Sequence, residues 1–264
     1  MVLKPSRKLE NVALLHKAHL MARAKVEKDI IDDFKKKIFE RYHQKKKGFV
    51  DRPAVKKVTA GLNRTVGKVA GLALERGLGD RSEKIYRQIE PYIEEENDVL
   101  DLGCGDGKTG YILHLEKGCN VELMDVKDYN QTPLPLKIYN GTSIPGKDNS
   151  YDHVLLLTVL HHADNPMVLM KQALRLAEKS VIVIESVYFD RIPLHRKINA
   201  AIDLFSSRML VDPEINVPFN FLTPTAWVAV FEEAGGKVVG MEKLGIDQPL
   251  VPEYHVLYEV EKQR

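Results

Sequence analysis

The residues best able to do chemistry stand close together in VLDLGCGDGKTG, positions 99–110. This stretch holds glycines at 103, 105, 107 and 110, acids at Asp101 and Asp106, one thiol at Cys104 and one lysine at Lys108. Closely spaced glycines let a backbone turn tightly and approach a ligand that a Cβ would keep away. The spacing then limits which ligand. A triphosphate loop needs Gly, four residues, then Gly-Lys-Ser/Thr; here Gly107-Lys108-Thr109 finds Leu102 where that first glycine belongs. The dinucleotide pattern G-x-G-x-x-G, begun at Gly103, would put its third glycine on Lys108. Both phosphate motifs miss, and acids inside the loop would repel a pyrophosphate. Asp101 and Asp106 suit a ligand that carries positive charge.

Other reactive groups are scattered. His161 and His162, Glu185, Tyr188 and His195 are candidates for a general base, with histidine having the natural pKa for it; His161, His162 and His195 are taken as the catalytic candidates. Adjacent histidines without a ligand-spacing motif do not read as a metal site, so no metal is expected. Cys104 has no assignable histidine partner and reads as a space-filler in the loop.

The elements that must hold these residues come from hydrophobic pattern. Apolar runs recur from residue 98 onward: 98–102, 120–125, 136–140, 151–158 and 179–186, separated by helix-sized stretches. Runs of Val, Ile and Leu with little alternation suit strands covered on both faces. The expected fold is therefore α/β, a Rossmann-like doubly wound sheet of seven strands. The last two runs, 237–244 and 255–260, have only a short proline-containing connection and should form an antiparallel edge hairpin. Residues 81–93 read as a helix leading into this core.

Ahead of it, 1–80 reads as a basic helical extension, with apolar stripes at helical spacing within 9–47 and 55–69 and a break at 48–53. Residues 1–97 hold 23 Lys/Arg against 14 Asp/Glu, whereas 98–264 hold 16 against 23, so the two parts differ in job. That extension could cover the ligand pocket, meet an anionic surface or form a dimerisation arm. Two cysteines imply no disulfide framework, and no signal peptide or apolar run of spanning length is evident, so a soluble cytoplasmic protein is expected.

With these motifs in order, residues 82–264 resemble the class I S-adenosylmethionine-dependent methyltransferases, particularly the UbiE-like, methyltransferase type 11 small-molecule branch. VLDLGCGDG is similar to their first motif, IPGKDNSYDHVLLLTVLHHADNP (144–166) to their stretch around the fourth strand, and FLTPTAWVAVFEEAGGKVV (221–239) to the helix and strand before the final hairpin. Gly146-Lys147 departs from the family pattern. The resemblance implies S-adenosylmethionine as cofactor, held by Asp101, Gly103, Cys104, Gly105, Gly107, Asp125, Val126, Asn140, Gly141, Thr158 and Val159. Asp125 would bond the ribose hydroxyls and Asp101 the ammonium. Asn140, standing where the family usually has aspartate, would accept from the adenine amine through its side-chain oxygen. The other readings are Asp101 as a loop cap, Asp125 as a turn residue, and Asn140-Gly141 as a plain turn.

The resemblance further implies methyl transfer to a small-molecule acceptor, aromatic or lipid-like in flavour. Residues 186–224 are too long for a simple connection and read either as a lid over that acceptor, walled by Tyr188, Phe189, Phe219 and Phe221, or as peripheral packing. Nucleic acid is not the expected partner. Two alternatives stay open: an RNA or protein methyltransferase recruited by the basic arm, or a cofactor-binding protein without turnover.

Overall fold

The structure is a computed structural model that describes Lys57 and residues 81–192, 194–248 and 251–263. The basic extension, with its two helical stripes, lies outside the described residues apart from Lys57.

Helix α1 (Arg81–Ile89) leads through a short 3₁₀ turn into strand β1 (Asp98–Leu102). Then follow α2 (Lys108–Lys117), β2 (Asn120–Asp125), β3 (Leu136–Ile138) and β4 (Tyr151–Leu157). Helix α3 (Pro166–Leu176) precedes β5 (Ala177–Val187). Beyond β5 come α4 (His195–Asp203), a π-helical stretch Leu204–Val211, α5 (Pro224–Glu233), and the long strands β6 (Gly236–Gln248) and β7 (Val251–Lys262). The seven strands form one sheet in the order β3-β2-β1-β4-β5-β7-β6. The first five are parallel, and β7 runs antiparallel between β5 and β6, as the expected hairpin requires.

One expectation needs correction. Helix-sized stretches were expected between all the parallel strands, yet the connections β2–β3 and β3–β4 contain no helix. Asx-type turns occupy the first: Asp128 accepts from the Asn130 N–H at 3.1 Å, and Asn130 accepts from the Thr132 N–H at 2.9 Å. Such side chains offer the backbone partners that a helix would otherwise supply.

The central strands are apolar on both faces because both are covered. Leu155, Ile182 and Ile184 join Ile85, Ile89, Val99 and Leu113 in a buried cluster under α1 and α2. Alternate residues such as Val154, Leu156 and Val183 point to the opposite face and are equally buried. There Phe231 of α5 packs edge-on against Tyr258, the register partner of Val183. The chain runs outward from β1 to β3, then returns to place β4 on the other side of β1. That reversal opens a crevice at the carboxyl ends of β1 and β4, where ligands of such sheets bind. No helix among the described residues is long and apolar enough to cross a membrane.

Candidate active site

The glycine loop lies at that crevice. Gly103, Gly105 and Gly107 have φ of +75°, +57° and +73°, the left-handed region that favours glycine. The loop is pinned to β2: the Gly103 N–H donates to the Met124 carbonyl at 2.7 Å, and the Gly105 N–H to Asp125 Oδ2 at 2.9 Å. What a Cβ would meet differs along it. At Gly103 it would strike both Val159 methyls at 2.7 Å, and at Gly107 the Asn130 oxygen at 2.7 Å. At Gly105 nothing lies within 4 Å. Two glycines serve the packing of the protein, then, while Gly105 keeps a volume clear. Cys104 is partly buried, and burial together with the Asp101 charge pushes its thiol far up, which suits a filler rather than a nucleophile.

Asp101 is 2% exposed and lies beneath the loop. Its Oδ2 has no hydrogen-bond partner and faces the first turn of α2, where a Cβ on Gly110 would sit 2.9 Å away. Burial, reinforced by Asp125 and Asp106, pushes this carboxyl up to about 7. The Gly110 amide pulls the other way, and the unengaged oxygen under the loop favours a cation above it. Because the folded pKa exceeds the unfolded value, the stability tied to this group is fully present below about pH 4 and is lost as pH rises through about 7. Urea unfolding from acid to mildly alkaline pH should show that decline, and Asp101→Asn should flatten it.

Asp125 closes β2 with its carboxylate engaged: Oδ1 accepts from the Val126 N–H at 2.6 Å while Oδ2 holds Gly105. Burial raises its pKa against the pull of these amides. Val126 is 53% exposed beside Gly141, giving the crevice an apolar wall. Asn140 behaves differently from its expected role. Its oxygen accepts from the Thr142 N–H, the Thr142 hydroxyl and the Ser143 N–H, at 3.0, 3.0 and 2.8 Å. The acceptor position expected for an adenine amine is filled within the turn.

At the end of β4, Thr158 adopts φ +62°, a left-handed conformation that is strained for a β-branched residue by about 1–3 kcal/mol. The kink sets Val159 against Gly103, so the two strand ends that flank the crevice interlock.

The three histidines separate into distinct roles. His161 is 3% exposed; its Nδ1–H donates to Glu185 Oε2 at 2.7 Å, and its ring stacks on Phe221. Burial alone would lower its pKa, but the Glu185 carboxylate overrides this and raises it to about 9. His161 thus braces the strand ends. His195 accepts from the Phe189 N–H at 3.1 Å and steadies the start of α4. His162 remains, with its Nδ1–H donating to the Asn216 carbonyl at 2.8 Å and Nε2 standing 3.6 Å from Asp203 Oδ1. Burial and the neighbouring His161 charge push its pKa down to about 4, so His162, like His195 whose pKa burial also lowers, is neutral.

The 186–224 segment straddles the crevice. Asn216 Nδ2 donates to the His162 carbonyl and to Asp164 at 2.8 and 2.9 Å, and Asn220 Nδ2 donates to the Ala163 carbonyl at 2.7 Å. On the far side, Asp212 accepts from Lys127 Nζ at 2.5 Å and from the Tyr129 hydroxyl at 2.8 Å. The segment is therefore fastened both to the β4 end and to the loop after β2. Of the expected walls, Phe221 is fully buried under His161 and cannot line an open pocket, and Phe189 packs edge-on against Tyr254. Sequence reading missed Lys127, Tyr129, Asp203, Asp212 and Asn216; Asp212-Pro213 gives a turn signal, but nothing in the sequence ties it to β2.

Comparisons with known proteins agree with this fold. Residues 75–240 match the family model described as a methyltransferase domain. The uncharacterized protein MJ1123 of Methanocaldococcus jannaschii is 24% identical over 165 residues, covering 60% of this chain and 75% of that protein. Among solved structures, a SAM-dependent methyltransferase of Methanosarcina mazei aligns with TM-score 0.52 at 18% identity, over 66% of this chain and 96% of that one. The 1,6-didemethyltoxoflavin-N1-methyltransferase of Burkholderia thailandensis, solved with 1,6-didemethyltoxoflavin and S-adenosylhomocysteine bound, aligns with TM-score 0.55 at 11% identity, over 84% and 93%. A chain from the complex of the Haloferax volcanii Trm112 methyltransferase activator with a methyltransferase gives TM-score 0.56 at 15% identity, over 77% and 98%.

Proposed function

Because the chain belongs to the methyltransferase domain family, we propose that it transfers the methyl group of S-adenosylmethionine to a small-molecule acceptor held beneath residues 186–224. The cofactor fits the residues present: Gly105 leaves open space that a side chain would enter, and Asp101 leaves one buried carboxylate oxygen without a partner. Gly105, Asp125, Val126, Gly141, Thr158 and Val159 would hold it. When bound, S-adenosylmethionine supplies a methyl group already activated on a sulfonium.

The chain's own work is then positioning and the exclusion of water. Thr158 and Val159 set the strand end against the glycine loop, and the fastened segment covers the crevice. The observation that carries the small-molecule reading is the double fastening of the roof, by Asp212 at one side and Asn216 at the other. A crevice closed on both sides suits a compact acceptor better than a polymer.

Incubation of the protein with methyl-labelled cofactor and, separately, a metabolite extract, bulk RNA or bulk protein tests this. Label is expected in the small-molecule fraction; label confined to RNA or protein overturns the reading. Asp125→Ala should weaken cofactor binding by about 1–3 kcal/mol, through lost charge-assisted bonds and a loosened Gly105 amide. Calorimetric titration with S-adenosylhomocysteine measures it, and an unchanged affinity would remove Asp125 from the site.

A further inference from the structure

We propose that His161, His162 and Asp203 form a binding site for one divalent transition-metal ion of the zinc class. This goes beyond methyl transfer and does not rest on it. The three residues come from the end of β4 and the end of α4, and their ligand atoms lie within 4.8 Å of one another. The hydrogen bonds around them decide which atoms an ion can use. Glu185 and the Asn216 carbonyl can only accept, so both histidines must donate from Nδ1, and each Nε2 is the ring atom left for an ion, with His161 losing its second proton on binding. Among the described residues neither Nε2 has a hydrogen bond.

Opposite them stands Asp203, 3% exposed. Its Oδ1 takes the Ser207 hydroxyl at 2.7 Å and lies 3.6 Å from His162 Nε2, too far for a hydrogen bond. Its Oδ2 is buried with no partner at all. Two ring nitrogens without hydrogen bonds thus face a buried carboxylate oxygen without a partner, an arrangement that a metal ion, bound with loss of the His161 Nε2 proton, completes.

The surroundings are those of a metal site. Metal-binding histidines hand their other N–H to a carboxylate or a backbone carbonyl, which fixes tautomer and ring; Glu185 and Asn216 fill these two places. Two imidazoles and one carboxylate select a borderline ion, whereas magnesium and calcium favour oxygen ligands. Ligands in a tetrahedron at 2.0–2.1 Å stand about 3.4 Å apart, so the Asp203–His162 edge is near its final length. The widest edge must close by about 1.5 Å. Three protein ligands leave a fourth position for water or a donor atom of another molecule.

The test uses the full chain, stripped of metal by a chelator and titrated with zinc chloride by calorimetry and with cobalt(II) by visible absorbance. One ion per chain is expected, with the d–d bands of a low-symmetry nitrogen/oxygen site. His162→Gln and Asp203→Asn should each weaken binding at least 100-fold and abolish the cobalt bands. Glu185→Gln should weaken it about 10–100-fold through the ring it orients, while His114→Gln on α2 should bind as wild type. His162 is only partly buried, so its variant keeps the test valid should the Asp203 variant unfold, which thermal scans report. S-adenosylhomocysteine titration of the same samples keeps the two proposals apart. Absence of saturable binding to the wild type, or equal affinity in wild type and both variants, overturns the site.

Discussion

Gly105→Val is expected to leave the sheet folded and to weaken cofactor binding at least 100-fold, about 3 kcal/mol. A side chain here meets no protein atom within 4 Å and enters the volume that the loop keeps clear. Its backbone is left-handed, so the change also strains the loop by about 1–2 kcal/mol, which a core of this size absorbs. Gly103→Ala is the contrasting control. Its Cβ collides with Val159 and its φ is +75°, so stability should fall by about 2–5 kcal/mol from overpacking and backbone strain together. Titration with S-adenosylhomocysteine beside thermal unfolding separates the two effects. Normal binding by Gly105→Val would refute close approach of the cofactor to the loop.

Glu185→Leu should be the most destabilising single change near the crevice, at about 3–5 kcal/mol. Glu185 is fully buried and accepts from the Leu160 N–H at 2.6 Å and from His161 at 2.7 Å. Leucine would leave a buried imidazole charge and a backbone donor without partners. Glu185→Gln retains an oxygen for one of them and should lose less. Urea unfolding of the three chains gives the ranking, and a Leu variant as stable as wild type would mean that the pair contributes nothing net.

Much of this was readable in the sequence. The limits of β1 and β2 followed from apolar runs ended by Gly103 and Asp125, and the hairpin from a connection too short to cross the sheet. The tight turn through Gly103, Gly105 and Gly107 followed from glycine spacing, whereas the packing of Gly103 against Val159 and of Gly107 against Asn130 did not. What escaped depends on distance along the chain. Asp212 meets Lys127 and Tyr129, and Asp203 meets His162, only because the segment after β5 folds back over strands laid down much earlier. No local pattern encodes such a pairing. Asn140 shows the opposite failure: a family position and a turn signal coincided, and the turn took the oxygen. His161 likewise has a residue type suited to catalysis, while burial against Glu185 gives it a supporting role.

The place of β7 has a consequence for how the chain reaches this state. β6 joins the sheet only through β7, and β5 has β7 along its length from Ser180 to Val187. Until the last strand has left the ribosome, β5 presents an open, apolar edge that invites pairing with another chain. The contacts that cover it are among the most distant in sequence and form slowly. Assembly of the finished sheet thus waits on β7, and a nascent chain halted before β7 is the species that most needs a chaperone.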